Sequence, residues 1–156
     1  MNLYLDASAL VKNYIDEAGS DRVRLAMSRA NMAGTHLISR AEVAAALAKA
    51  VRLNVLRPDD AMACLLRFRR DWPSLIRLGV SELLIAHADA LAWNHGLRGY
   101  DAVHLAAASL WQETLGSPVT FAAFDAKLWG TAGQIGLLQY PDDLRSLACE
   151  GGPITP

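Results

Sequence analysis

A single three-layer α/β/α sandwich is the fold class that this chain predicts, on three observations. Short apolar, strand-like runs recur at 2–5, 35–38, 75–80, 119–122 and, more weakly, 137–140. Stretches with helical periodicity fill the gaps, and no repeat, linker or low-complexity segment divides the chain. Strands alternating with helices build a parallel sheet whose crossover helices cover both faces. A length of 156 residues suits one domain, and a hydrophobic content of 53% suffices for a sizeable core. The domain is expected over 1–147, with 148–156 as a fraying tail.

The elements follow in order. Asn2-Leu3-Tyr4-Leu5 reads as the opening strand, and Asp16, Glu17 and Asp21 fall in a polar turn and helix start. The second strand, 35–38, hands over to a helix at 41–53. There Val43, Leu47, Ala50 and Val51 form the apolar stripe, while Lys49 and Arg52 face water. Pro58 suits a first helical position, and Asp59 and Asp60 in the first turn complement the helix dipole. That helix should run to about Trp72, ahead of Pro73. Ser81 is placed to cap the next helix, which His95-Gly96 ends. A further helix at 102–115 is stopped by Gly116, and the last two strand-like runs follow.

Composition narrows the function classes. A net charge of −1 makes the whole molecule no electrostatic magnet for nucleic acid, so a polyanion would need a local basic patch. The N-terminus lacks the basic region and apolar run of a signal peptide. No stretch reaches the roughly 18 uninterrupted apolar residues of a membrane helix. Cys64 and Cys149 have no partners at metal-ligand spacing and read as ordinary thiols. A cytoplasmic protein without a membrane segment is expected.

Four carboxylates carry the functional signal. Asp6, Glu42, Asp101 and Asp125 each stand where a strand or short turn gives way to a helix. In an open parallel sheet the carboxyl ends of the strands share one crevice, so acids at several such ends converge. Two like charges about 4 Å apart cost about 4 kcal/mol at an effective dielectric of about 20, and a hard divalent cation relieves that repulsion. Each acid also has a purely structural reading. Asp6 and Asp125 lie where helix N-caps fall. Ser39-Arg40-Ala41-Glu42 has the spacing of a capping box, and Asp101 favours its helix dipole. Jointly the four exceed what capping requires, since Ser, Thr or Asn cap helices without adding charge.

Three segments together resemble the PIN-domain family of metal-dependent nucleases, in particular the VapC-type toxins of bacterial toxin–antitoxin modules. They are Leu5-Asp6-Ala7-Ser8-Ala9-Leu10-Val11-Lys12, Ile38-Ser39-Arg40-Ala41-Glu42-Val43-Ala44-Ala45-Ala46-Leu47, and Gly96-Leu97-Arg98-Gly99-Tyr100-Asp101-Ala102-Val103-His104-Leu105-Ala106-Ala107-Ala108. The third is the most specific. A fourth, Phe121-Ala122-Ala123-Phe124-Asp125-Ala126-Lys127-Leu128, fits less fully, because Ala123 stands where the family commonly has Thr or Ser.

The resemblance implies a five-stranded parallel sheet of order 3-2-1-4-5 with an acidic pocket above its centre. It places the metal-binding acids at Asp6, Glu42, Asp101 and Asp125 and a small hydroxyl residue at Ser8. Carboxylate donors suit Mg²⁺ or Mn²⁺. The expected reaction is hydrolysis of RNA phosphodiesters by water that the cation makes more acidic. His104, one turn beyond Asp101, reads as a packing or supporting residue before a proton donor. Lys12, Arg40, Lys49, Arg52, Arg98 and Lys127 are candidate phosphate contacts. Arg67, Arg69 and Arg70 read as a solvated helix face, and Tyr100 as packing at its helix start. A small antitoxin laid over the groove, and a homodimer, are implied partners; Trp72, Trp93, Trp111 and Trp129 suit such surfaces or the core. The alternative within the fold is a catalytically silent module binding RNA or protein. An aspartyl phosphotransferase would want a second Asp at position 8, which is Ser8, and a phosphoacceptor receiver would want paired acids after the first strand.

Overall fold

The computed structural model describes residues 1–144; the expected tail at 148–156, Cys149 and the last expected domain residues, 145–147, lie outside the described residues. Five strands form one parallel sheet: β1 (Asn2–Leu5), β2 (Met32–His36), β3 (Ile76–Leu78), β4 (Val119–Ala122) and β5 (Leu138–Tyr140), in the order β3-β2-β1-β4-β5. The helices are α1 (Ala7–Lys12), α2 (Ser20–Arg29), α3 (Ser39–Arg52), α4 (Pro58–Asp71), α5 (Glu82–His95), α6 (Gly99–Leu115) and α7 (Ala126–Gln134).

Alternation along β1 divides the core. Leu3 and Leu5 point to one face, where Leu10 of α1, Val43 and Leu47 of α3 and Phe68 of α4 meet them. Tyr4 points to the other, against Leu105 and Trp111 of α6 and Phe121 of β4. All three β1 side chains are fully buried, as a central parallel strand covered on both faces requires. Tyr4 and Phe121 stack with ring centroids 5.4 Å apart.

Several expected boundaries shift. The second strand ends at His36, because Leu37 and Ile38 turn into α3: the Ile38 N–H bonds the His36 imidazole at 3.1 Å, and the Arg40 N–H bonds the Leu37 carbonyl. The third strand is shorter than 75–80, since a 3-10 turn at Trp72–Ser74 holds the Leu75 N–H. The helix expected at 102–115 starts at Gly99, so Asp101 lies inside its first turn. Pro58 and Ser81 take the places predicted, with the Ser81 hydroxyl accepting from the Leu84 N–H. Trp72 and Trp111 are buried, Trp129 is half-buried and Trp93 is exposed. Among the described residues, no helix is long and apolar enough to cross a membrane.

Candidate active site

The sheet order explains why distant acids meet. The strands β2, β1 and β4 are neighbours, and Glu42, Asp6 and Asp125 follow their carboxyl ends. Asp101 joins them from the first turn of α6, which packs against β2 and β4.

Asp6 is the deepest of the four, at 5% exposure. It caps α1, accepting from the Ala9 N–H at 2.8 Å, and the Ser8 hydroxyl lies 2.8 and 2.9 Å from its two oxygens. Burial raises its pKa to about 6; His104, the Ala9 N–H and Ser8 oppose that shift, and Glu42 adds to it. The Ser8 oxygen also accepts the Phe124 N–H at 3.0 Å. One hydroxyl therefore ties Asp6 to the residue before Asp125. Phe124 is further fixed by Lys12 above its ring and by Gly19, whose φ of +89° and missing Cβ leave room for the ring edge.

Glu42 is not in a capping box. The Ser39 hydroxyl instead meets Thr35 Oγ1 at 2.7 Å, and Thr35 in turn donates to the Leu5 carbonyl at 2.7 Å. This buried chain fastens the start of α3 to the end of β1. Glu42 Oε2 accepts from His104 Nε2 at 2.8 Å, and His104 Nδ1 lies 2.9 Å from the Tyr4 hydroxyl. His104 is only 2% exposed, between Tyr4 and Glu42.

Asp101 and Asp125 form the rim. Asp125 is exposed and caps α7, accepting from the Leu128 N–H at 2.8 Å. Asp101 is half-buried; desolvation and then Asp125 raise its pKa, Arg98 and His104 lower it, and Glu42 raises it. The fields thus link Asp6 to Glu42, Glu42 to Asp101, and Asp101 to Asp125. Among the described residues, no three His, Cys, Asp or Glu side chains are set to hold one ion together. The donor set fits a hard cation in chemistry and charge, and the acids associate in pairs.

The cations divide by commitment. Lys12 pairs with Glu17 at 2.6 Å, and Lys127 binds the Gly96 carbonyl, so both serve the fold. Arg67 donates to the Tyr14 carbonyl and Arg70 pairs with Asp71. Arg40 lies over the Trp72 ring, 5.9 Å from its centroid, and Arg98 stands exposed at the N-cap of α6. Tyr100, expected to pack, is instead 61% exposed in the first turn of α6. Tyr4, Thr35 and His36 were not among the expected site residues. His36 is 2% exposed, faces the His104 ring edge-on at 6.3 Å, and has a buried Nε2 without a hydrogen-bond partner among the described residues. Its position at the end of β2 was hidden by reading that strand through Ile38.

A family model described as "PIN domain" matches residues 3–128. "Ribonuclease VapC45" of Mycobacterium tuberculosis is 32% identical over 143 residues, covering 91% of this chain and 96% of that protein. Among solved structures, PAE2754 from Pyrobaculum aerophilum aligns with a TM-score of 0.62 and 22% identity over 96% of each chain. A chain of a toxin–antitoxin complex from Klebsiella pneumoniae aligns with a TM-score of 0.58 and 16% identity, covering 83% of this chain and 90% of that one.

Proposed function

The chain belongs to the PIN-domain family and is of the VapC type, and on that premise we propose that it is a Mg²⁺- or Mn²⁺-dependent endoribonuclease, the toxin of a toxin–antitoxin pair. The observation that carries the reading is the group of four carboxylates, three after adjacent strand ends and Asp101 in the first turn of α6, in which Glu42 raises the Asp6 pKa and Asp125 and Glu42 raise that of Asp101. A divalent cation would offset that opposition to ionisation, held by a pair drawn from Asp6, Glu42, Asp101 and Asp125. When bound, it would supply a more acidic water and offset charge at the leaving oxygen. Pairwise association suits Mg²⁺, which takes one or two protein carboxylates and keeps several waters.

The chain's own residues do the remaining work. Ser8 and the Ala9 N–H keep Asp6 aimed out of the sheet, and the Ser8–Phe124 contact keeps the Asp125 loop beside it. Arg98 and Arg40 have no carboxylate hydrogen-bond partner among the described residues and would receive RNA phosphates at the margins of the acidic site. A basic side chain of an antitoxin would complement the same acids and exclude RNA. Exposed Val80, Leu83, Ile85 and Trp93, on and before α5, offer apolar surface for a homodimer.

Incubating purified, antitoxin-free protein with cellular RNA and Mn²⁺ or Mg²⁺ tests the reading. Discrete fragments are expected, lost with EDTA and in Asp6→Asn. RNA that survives wild type and variant alike across the pool, yet is retained by both, would replace the nuclease with a silent binding module.

A further inference from the structure

Three of the four acids differ from Glu42 in how they are placed. Asp6 and Asp125 double as N-caps, so backbone N–H groups of their own helices aim them. Asp101 sits on a helix that starts two residues earlier, with a short side chain. Glu42 has a longer, more rotatable side chain, no capping contact, and a partner 62 positions away. That partner is itself fixed. His104 is held at Nδ1 by the Tyr4 hydroxyl at 2.9 Å, and its ring meets Tyr4 edge-on at 5.9 Å and His36 edge-on at 6.3 Å. Tyr4 is fully buried in the central strand, stacked on Phe121 and packed against Trp111.

We propose that Tyr4 and His104 are positioning residues forming a buried relay, Tyr4 Oη to His104 to Glu42 Oε2, which aims Glu42 and keeps its Oε1 free for the cation. The chemistry of the partners sets the direction of the hydrogen bonds. A carboxylate only accepts, so His104 Nε2 carries the proton shared with Glu42. With the proton on Nε2, Nδ1 of the neutral ring is a bare acceptor, so the Tyr4 hydroxyl 2.9 Å away donates to it. The imidazole is thereby fixed in one orientation, as histidines beside metal-binding carboxylates are commonly fixed by the partner of their other nitrogen. Glu42 Oε1 has no hydrogen-bond partner among the described residues, and the side chain is 23% exposed, enough to reach the crevice. The inference rests on the nuclease reading only in assigning that free oxygen to a cation.

The first measurement needs neither RNA nor metal. Imidazole ¹⁵N spectra of the cation-free protein should show a slowly exchanging His104 Nε2–H whose signal moves in Glu42→Gln. Tyr4→Phe, a substitution of nearly equal volume, should leave Nδ1 without its donor, move the Nδ1 signal and speed exchange of the Nε2–H. A wild-type proton on Nδ1 alone, or an Nε2–H indifferent to both substitutions, overturns the relay. The second measurement is calorimetric Mn²⁺ binding with steady-state cleavage. Tyr4→Phe should weaken Mn²⁺ binding by roughly 10-fold and lower kcat similarly, leaving KM for RNA unchanged. His104→Gln, which still offers an acceptor and a donor, should recover part of what His104→Ala loses. Equal losses in those two variants with Tyr4→Phe silent would mark packing alone and overturn the proposal. Should wild type cut no RNA, the nuclease reading fails while the ring signals still decide the relay.

Discussion

Asp6 and Glu42 lie at the floor of the acidic crevice, tied to the fold by side chains, whereas Asp101 and Asp125 stand at its rim with almost none. Around Asp6 and Glu42 run Ser8, His104, Tyr4 and, beneath the start of α3, Ser39 and Thr35. Around Asp125 there is one backbone N–H, and around Asp101 chiefly the fields of its neighbours. The floor therefore couples function to stability, and the rim does not. Burial opposes the charge of Asp6 until something neutralises it; exposed Asp125 is met by water, and half-buried Asp101 lies between the two.

Asp6→Asn should break the comparison hardest. RNA cleavage is expected to fall roughly 10²–10³-fold, the scale of losing several kcal/mol of electrostatic stabilisation. The same change should stabilise the cation-free protein, because Asn keeps the cap and removes the buried charge. The sign follows from the pKa values. Asp6 titrates at about 6 in the fold against 3.8 unfolded, so the fold favours the neutral acid. The penalty is absent below the unfolded value, grows as pH rises between the two, and is complete above about 6, at about 3 kcal/mol at most. Thermal melts should show Asp6→Asn more stable than wild type at pH 7.5, about 1.5 units above the folded value of about 6, and equal to it below the unfolded pKa of 3.8. Equal melting at both would mean that the floor carries no electrostatic strain.

A divalent cation should act as the natural counterpart of that substitution. At about 100 times its dissociation constant, Mn²⁺ should raise the stability of wild type by about 2.7 kcal/mol. In Asp6→Asn the rise should shrink markedly, and in Asp125→Ser only in part. A melting shift of the same size in all three proteins would place the ion outside the crevice.

These predictions rest on features of unequal legibility. The positions of the four acids and the order of elements could be read from the chain, because strand-to-helix transitions carry local signals: apolar runs, caps, a proline at a first turn. The supports of the floor could not. Ser39 and Glu42 have the spacing of a capping box, and only the neighbourhood of Thr35 and His104 draws both away from it. Tyr4 and His104 are separated by 100 positions and meet because β1 is central and α6 crosses its face. His36 is hidden in the sequence because apolar Leu37 and Ile38 continue the strand pattern past it, although a turn exposes both in part. Local pattern finds where a charge sits; long-range packing decides what holds it.

Ser8→Ala probes the link between floor and rim. It removes a hydrogen bond to Asp6 and leaves the Phe124 N–H without its acceptor, at a cost of about 1–2 kcal/mol. Because the Ser8 hydroxyl lowers the Asp6 pKa, its loss should move that pKa further up, which carboxyl NMR titration reads directly. An unmoved Asp6 would show that the hydroxyl serves only the Phe124 loop.

Asp125→Ser should have the smallest effect on stability and is the sharpest test of the rim. Ser caps helices about as well as Asp, so α7 keeps its Leu128 N–H contact and the melting temperature should change little. Asp125→Ala, which removes the cap, should cost about 1 kcal/mol. Cleavage should fall in both, by similar factors, because the missing charge is common to them and the missing cap is not. That dissociation has no counterpart at Asp6, where removing the charge is expected to raise stability. If Asp125→Ser instead retained full cleavage while Asp125→Ala lost it, the rim aspartate would act through the helix it caps rather than through its charge.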